Sequence, residues 1–150
     1  GRTVWGGGGI TPDILVKPDT VSSAEQEFSR VVGAAKSQQV YVAVYDLAIK
    51  VKGSVQPGFT VEQAWRDELF QRLKTAEVPI TRAQYDAARP LIDRLLEQRV
   101  AGLAFGDSAS FRRFVPYDAQ LREAVSVLKQ STTQKDAFAL IDKRGTVGSK

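Results

Sequence analysis

The sequence contains neither histidine nor cysteine, and these two absences exclude much of the usual chemistry of enzyme sites. Histidine is the commonest general base and a frequent transition-metal ligand, so Ser-His-Asp, Cys-His and histidine-zinc sites are excluded. Without cysteine there is no disulfide, no thiolate nucleophile and no cysteine-based metal site. Catalysis would have to depend on a serine–lysine pair or on paired carboxylates, and we expect no metal and no cofactor.

The sequence also lacks a long apolar run and a strong excess of one charge. No stretch approaches the roughly 20 apolar residues of a membrane-spanning helix, so we expect no membrane span. The first residues do not have the basic, apolar and small-residue order of a signal peptide. The 21 basic and 17 acidic residues are largely interspersed and leave a net charge of +4. This mixture favours an ordinary solvated surface, and we expect no nucleic-acid partner.

Four consecutive glycines stand near the start of the chain, between two short runs rich in β-branched and aromatic residues. Glycine loses more backbone entropy on folding than any other residue, so such a run indicates positive φ or close backbone approach. The flanking runs predict a strand on each side of a tight turn. A phosphate-binding loop is disfavoured because Thr11-Pro12 and a β-branched run follow the glycines, where such a loop leads into a helix.

This stretch also carries a family resemblance. The pattern Gly-Arg-x-Val-aromatic-Gly-Gly-Gly-Gly-Ile-x-Pro-Asp resembles the segment that closes the protease core in the carboxyl-terminal processing peptidases, also called tail-specific proteases. The resemblance gives a structural role to Gly6, Gly7, Gly8, Gly9, Ile10, Pro12 and Asp13. It implies a parent serine endopeptidase whose Ser/Lys dyad lies upstream of this chain. It also implies a periplasmic or otherwise extracytoplasmic bacterial location.

The resemblance and the residue patterns together give a domain plan. We expect a mainly α chain with a short N-terminal β element. Residues 1–20 would form the last β segment of the α/β protease core, residues 21–144 a helical carboxyl-terminal domain, and residues 145–150 a disordered tail. A looser similarity to the helical tail of some processing peptidases supports the second part, through Phe105-Gly106-Asp107, Arg112-Arg113 and the pattern Asp118-x-Gln120-Leu121-x-x-Ala124.

Helical signals dominate from Ser22 onward. Side chains typical of helix N-termini occur at Ser22 with Glu25, Thr60 with Gln63, Thr81 with Gln84, Asp118, and Thr133 with Asp136. Pro90 removes a backbone donor, so we expect a kink near Asp86 to Arg89 or two abutting helices. Gly106 is predicted to end the second of these. On the helix after Asp118, the expected inner face consists of Leu121, Ala124, Val125 and Leu128.

Residues 39–52 fit two patterns. Tyr45 to Lys52 alternates like a half-buried strand, while a helical stripe contains Tyr41, Val44, Tyr45, Ala48 and Ile49. The resembled peptidases have an aromatic-containing helix at this point, which favours the helix.

Three sets of residues could carry chemistry or binding. Gly106-Asp107-Ser108-Ala109-Ser110 is similar to the nucleophile motif of the resembled peptidases, but it follows the glycine segment instead of preceding it, so we predict a helix start and no catalytic residue.

Arginines could form a docking surface, although pairing with Asp86, Asp93 and Glu97 is favoured; they are Arg82, Arg89, Arg94, Arg99, Arg112, Arg113 and Arg122. Aromatic residues are expected in the core and not in a peptide-binding surface; they are Trp65, Phe70, Phe105, Phe111, Phe114 and Tyr117.

The functional hypothesis is therefore the C-terminal, non-catalytic part of a carboxyl-terminal processing serine endopeptidase, inactive by itself. Its helices would complete the core, shape the substrate path or mediate self-association. The expected partners are the rest of the protease core, the protein or peptide substrate of the parent, and a second copy of the chain. The alternative is an independent helical protein-binding module with no link to proteolysis.

Overall fold

A computed structural model describes residues 14–17 and 19–145, and every regular element in them is helical. The elements are α1 (Ser23–Val51), α2 (Gln63–Thr75), α3 (Arg82–Ala87), α4 (Arg89–Phe105), α5 (Asp107–Phe114), a 3-10 turn (Val115–Tyr117), α6 (Ala119–Lys129) and α7 (Gln134–Gly145). None of the helices in these residues is long and apolar enough to cross a bilayer.

The expectation of a mainly α chain is confirmed, but the predicted N-terminal β element is wrong. Residues 14–17 include the end of the second predicted strand, and they form no strand. A short hairpin is marginal by itself, and the described part of the chain offers it only helices and no sheet to join. No α/β core occurs among the described residues either. The motif residues Gly6, Gly7, Gly8, Gly9, Ile10, Pro12 and Asp13 lie outside them, as do residues 146–150 of the predicted tail.

The helices belong to two compact units. The larger unit covers Thr20–Pro116 and contains α1 to α5. Within it, α1 contacts α2, α3 and α4, and α4 also contacts α3 and α5. The smaller unit contains α6 and α7, which contact each other, together with the described residues before Thr20.

The core of the larger unit is apolar and closely packed. Its most deeply buried side chains, each under 2% exposed, include Leu47, Leu69, Leu73, Ile80, Tyr85, Ile92 and Leu96. Burying a leucine or isoleucine side chain contributes about 2 kcal/mol. The hydroxyl of Tyr85 donates to the carbonyl of Arg66 at 2.8 Å, so the one polar group of this set is satisfied.

Helix α1 resolves the ambiguity of residues 39–52 in favour of the helix. Val44, Leu47, Ala48 and Val51 are buried at the spacing of one helical face, against α2 and α4. A strand would have placed Val44 and Leu47 on opposite sides. The helix is interrupted at Gly33, whose φ of 54° and ψ of −175° are not helical.

Most of the predicted helix boundaries are confirmed by hydrogen bonds. The Glu25 amide donates to Ser22 Oγ at 3.2 Å, and the Ser22 amide donates to Glu25 Oε2 at 3.0 Å. Thr81 with Gln84 forms the same reciprocal pair. The Leu121 amide donates to Asp118 Oδ1, and the Asp136 amide donates to Thr133 Oγ1. The predicted cap at Thr60 is wrong, because α2 begins at Gln63 and the side chain of Gln63 instead contacts Asp67 and Arg66.

The region around Pro90 contains two abutting helices, as predicted. Helix α3 ends at Ala87 and α4 begins at Arg89, with Pro90 in the first turn of α4, where a missing donor costs little. Gly106, with a φ of 87°, ends α4 as expected.

The predicted inner face of α6 is wrong in part. Val127 is the buried residue of this helix, whereas Leu128 is 68% exposed and Val125 is also exposed. The face that contributes to the cavity beside α7 contains Gln120, Glu123, Ala124, Val127 and Leu128. The position of α7 fixes that face, and the sequence of α6 alone does not contain this information.

Candidate functional site: the groove between α1, α4 and α5

A groove of about 580 Å³ lies between α1, α4 and α5 in the larger unit. Its apolar lining consists of Val40, Val44, Leu95 and Leu103. Its polar lining consists of Ser37, Gln98, Arg99, Asp107 and Ser110. An apolar surface with a few converging polar groups is the usual composition of a binding site, and the volume is in the range of small binding sites.

The spacing of residues along α1, α4 and α5 positions the side chains in and beside the groove. Tyr41 and Tyr45 are four residues apart on α1 and therefore lie on the same face. Their ring centroids are 6.0 Å apart and their planes differ by 15°. Gly102 on α4 has no side chain, and a Cβ built there would lie 3.4 Å from Ser110 Cβ. Helix α5 therefore packs beside Gly102 at the edge of the groove, at a distance that leaves room for a methyl group.

Arg99 on α4 lies over both tyrosines. Its Cζ is 4.8 Å from the ring centroid of Tyr41 and 5.6 Å from that of Tyr45. Such cation–π contacts contribute about 0.5–1 kcal/mol at exposed sites. Arg99 forms no ion pair and no hydrogen bond with any described residue. None of the described residues accepts a hydrogen bond from its guanidinium, so its N–H donors are available to a ligand.

Most of the other arginines are paired, as the sequence predicts. Arg82, Arg89 and Arg113 lie beside Asp86, Asp93 and Glu97 respectively. In the larger unit Arg94 also pairs with Glu25, and in the smaller unit Arg122 pairs with Asp19. Arg112 donates to the carbonyl of Ser108 within α5. Among the described residues Arg99 and Arg112 thus have no carboxylate partner, and of these two only Arg99 lines the groove.

Asp107 and Ser108 begin α5, which confirms the predicted helix start. A carboxylate is stabilised in the first turn of a helix because the helix dipole is positive there. The side-chain hydroxyls of Ser108 and Ser110 have no hydrogen-bond partner among the described residues. Ser110 faces Gly102 across a packed contact, and no lysine or carboxylate of the described chain lies within hydrogen-bonding distance of either hydroxyl.

The aromatic residues divide into two groups. Trp65 is buried and Phe70 packs against the core, which confirms the prediction for these two. The prediction is wrong for the other four, because Phe105, Phe111, Phe114 and Tyr117 are 37–55% exposed. Phe111 and Phe114 lie on α5, an eight-residue helix that packs against α4 within the larger unit.

Four carboxylates of the larger unit, all outside the groove, have a lowered pKa; they are Glu25, Glu27, Asp67 and Glu68, of which Glu25 and Glu68 are the least exposed. A hydrogen bond from the Ser22 amide, and then the hydrogen bond from Arg94, lower the pKa of Glu25. Lys50, followed by Arg72, lowers the pKa of Glu68. Both carboxylates are already engaged by their own helices or neighbours. No group of three or more acidic side chains that could hold a metal ion occurs within the described ranges.

Two other cavities are less suited to a ligand. In the larger unit, a groove of about 570 Å³ between α1 and α2 contains Glu68 and Arg72, which are paired with each other. In the smaller unit, a cavity of about 720 Å³ is lined mainly by apolar side chains of residues 14–16, α6 and α7. The Arg99 groove differs from both because it combines an apolar surface with a charge that has no carboxylate partner.

Comparisons of the chain with protein-family models, with curated proteins and with solved structures found no match. The similarity to the carboxyl-terminal processing peptidases therefore depends on the quoted sequence motifs alone. The fold and the groove define a helical domain with a candidate binding site on its surface.

Proposed function

We propose that this chain is the carboxyl-terminal, non-catalytic part of a carboxyl-terminal processing serine endopeptidase, and that its larger helical unit binds protein segments for that enzyme. The family link is supported by the motif from Gly1 to Asp13. The Ser/Lys dyad would be supplied by the upstream part of the parent. The helices would shape the path along which the substrate reaches it.

The observation that carries the binding role is the environment of Arg99. Its guanidinium is held over Tyr41 and Tyr45 beside an apolar groove, and it forms no ion pair with any described carboxylate. This arrangement favours recognition of a ligand, since the nearby hydroxyl of Ser110 has no base to activate it.

The experiment compares the chain alone with the chain mixed with the preceding protease segment of the parent. The chain alone is expected to leave an unstructured peptide intact and to resist labelling by a fluorophosphonate at Ser108 and Ser110. Addition of the protease segment is expected to restore proteolysis. A chain in which Gly7 and Gly8 are replaced by serine is the control, because the resemblance assigns these glycines to contact with the protease core.

Two results would contradict the proposal. One is cleavage by the chain alone that is lost when one of its own residues is substituted. The other is a failure of the protease segment to gain any activity from the chain.

An independent helical binding module is the second candidate, and one observation favours it. The core described by the structure, from Phe28 to Val100, lies entirely within the unit Thr20–Pro116. Failed complementation together with tight binding to a protein unrelated to proteolysis would support this candidate over the first.

A further inference from the structure

Pairs of opposite charge join the helices of the larger unit at the edges of their apolar contacts. Arg94 on α4 lies 2.9 Å from Glu25 of the residues that begin α1. Arg66 on α2 lies 2.6 Å from Asp93 on α4, and Lys50 on α1 lies 2.7 Å from Glu68 on α2. In each of these ion pairs the carboxylate and the cation come from different helices.

The Arg99 groove has a similar composition, but its cation forms no ion pair with a carboxylate of the described residues. It has an apolar surface from α1 and α4 and a cation at its edge. We propose that this groove binds a short segment of a partner protein in which one glutamate or aspartate side chain is flanked by apolar residues. The carboxylate pairs with Arg99, and the apolar neighbours cover Val40, Val44, Leu95 and Leu103. This proposal depends on the binding role of the helical unit, but not on its link to proteolysis.

Tyr41 and Tyr45 hold the side chain of Arg99 in position. The cation–π contacts with Tyr41 and Tyr45 restrict the rotamers of the arginine before any ligand arrives, so less side-chain entropy is lost on binding. The guanidinium can then offer two parallel N–H donors to one carboxylate. A lysine would present the same charge without the planar pair of donors.

Asp107 limits the kind of anion that fits. It lines the same groove from α5, so the lining carries one positive and one negative side chain and has no net charge. A polyanion such as a nucleic acid would meet repulsion from Asp107. The groove therefore favours a segment with a single acidic residue over a run of acids.

The test uses fluorescent peptides with the central sequence Leu-Leu-Glu-Leu-Leu, flanked by serine and glycine. Both ends are blocked, so the glutamate carries the only charge of the peptide. Matched peptides have glutamine or lysine in its place, and a further glutamine peptide has a free C-terminal carboxylate. Fluorescence anisotropy with the full chain is expected to give about ten-fold tighter binding of the glutamate peptide than of the blocked glutamine peptide, as expected for a charge-assisted hydrogen bond.

Variants of the chain locate the contact. Arg99→Gln is expected to abolish the preference for glutamate while retaining weak binding through the apolar surface. Asp107→Asn is expected to strengthen binding of the glutamate peptide. Arg112→Gln is the matched control, because Arg112 is a nearby arginine of α5 outside the groove, and it should leave both affinities unchanged. Circular dichroism of each variant verifies that the helices remain folded.

Several results would overturn the inference. These are equal binding of glutamate and glutamine peptides, a glutamate preference that survives Arg99→Gln, equal effects of Arg112→Gln and Arg99→Gln, or no peptide binding at all. Stronger binding of the free C-terminal carboxylate than of the glutamate side chain would also contradict it. Failed complementation of the protease segment would count against the proposed peptidase link and leave these affinities unaffected.

Discussion

Arg66 and Asp93 form a bidentate ion pair that joins α2 to α4. Arg66 Nε lies 2.6 Å from Asp93 Oδ1, and Arg66 Nη2 lies 3.0 Å from Oδ2. The same Nη2 donates to the carbonyl of Val61 at 2.8 Å. Arg66 is only 8% exposed, so its charge is satisfied by protein acceptors more than by water. The paired donors fix the relative orientation of the two side chains as well as their distance.

Asp93→Ala is therefore expected to destabilise the larger unit, because it leaves the guanidinium of Arg66 without its main partner. Breaking a fully buried pair costs about 3–5 kcal/mol, and we expect about 2 kcal/mol here since the side chain of Asp93 is 24% exposed. Urea unfolding followed by circular dichroism measures the difference. Asp86→Ala is the control, because its pair with Arg82 is exposed and its loss should matter much less. Equal effects of the two substitutions would show that burial does not set the strength of the Asp93 pair.

The lowered pKa of Glu25 predicts that the stability of the protein depends on pH. Its folded pKa is lowered, mainly by the hydrogen bond from the Ser22 amide and then by Arg94. A carboxylate with a lowered folded pKa stabilises the protein above its unfolded pKa of about 4.3, and this contribution is lost as the pH falls through the folded value.

Glu25→Gln should therefore be less stable than the natural chain at pH 7, by about 1 kcal/mol for a helix-capping contact, and the difference should shrink as the pH falls below about 4. Thermal unfolding at a series of pH values measures it. Glu62→Gln serves as the control, because the Glu62 side chain forms no capping hydrogen bond at the start of α2. A Glu25 difference that stays constant down to pH 2 would contradict the linkage.

Gly33→Ala tests the interruption of α1. With a φ of 54° and a ψ of −175°, Gly33 occupies backbone space that residues with a side chain rarely adopt. No atom lies within 4 Å of a Cβ built there, so the cost is backbone strain, of about 1–3 kcal/mol, and not collision. Gly53→Ala is the control because that glycine is exposed and also has open space around it. A more stable Gly33→Ala variant would mean that α1 readily becomes continuous.

Gly102→Ala is expected to stabilise the protein, in contrast to Gly33→Ala. Gly102 lies inside α4, where alanine is favoured over glycine by about 0.5–1 kcal/mol. The new methyl group would contact Ser110 at 3.4 Å, which is an ordinary van der Waals distance. An increase in the midpoint of urea unfolding is therefore expected. A decrease would mean that α5 has to move away from α4 to accommodate the methyl group.

Helix ends were predictable where their cause is local. The contacts of Ser22 with Glu25, Thr81 with Gln84, and Asp118 with Leu121 each span three residues, so they can be recognised in the sequence. The prediction of the β element is wrong because its cause is not local. Residues near Val16 have strand propensity, but a strand also needs a neighbour, and propensity does not supply one.

The candidate site was only partly visible in the sequence. The spacing of Tyr41 and Tyr45 indicates a shared helical face. The sequence pattern does not distinguish the buried residues of that face from Tyr41, which is exposed at its edge. The sequence predicts that Arg99 is paired like the other arginines, because whether an arginine finds a carboxylate depends on how separate helices pack. The exposed aromatic side chains of α5 were missed for the same reason.

Arg113 on α5 also contacts the loop that precedes α2, and this contact bears on the order of folding. Arg113 donates to the carbonyl of Phe59, 54 residues earlier, at 2.7 Å, and its Cζ lies 4.5 Å from the Phe59 ring. Joining such distant segments costs closure entropy that the formation of a local helix does not. We expect this loop to take its final position late, after α5 has docked on α4. Arg113→Ala would then accelerate unfolding in stopped-flow measurements, while a slower folding rate would place this contact in the transition state.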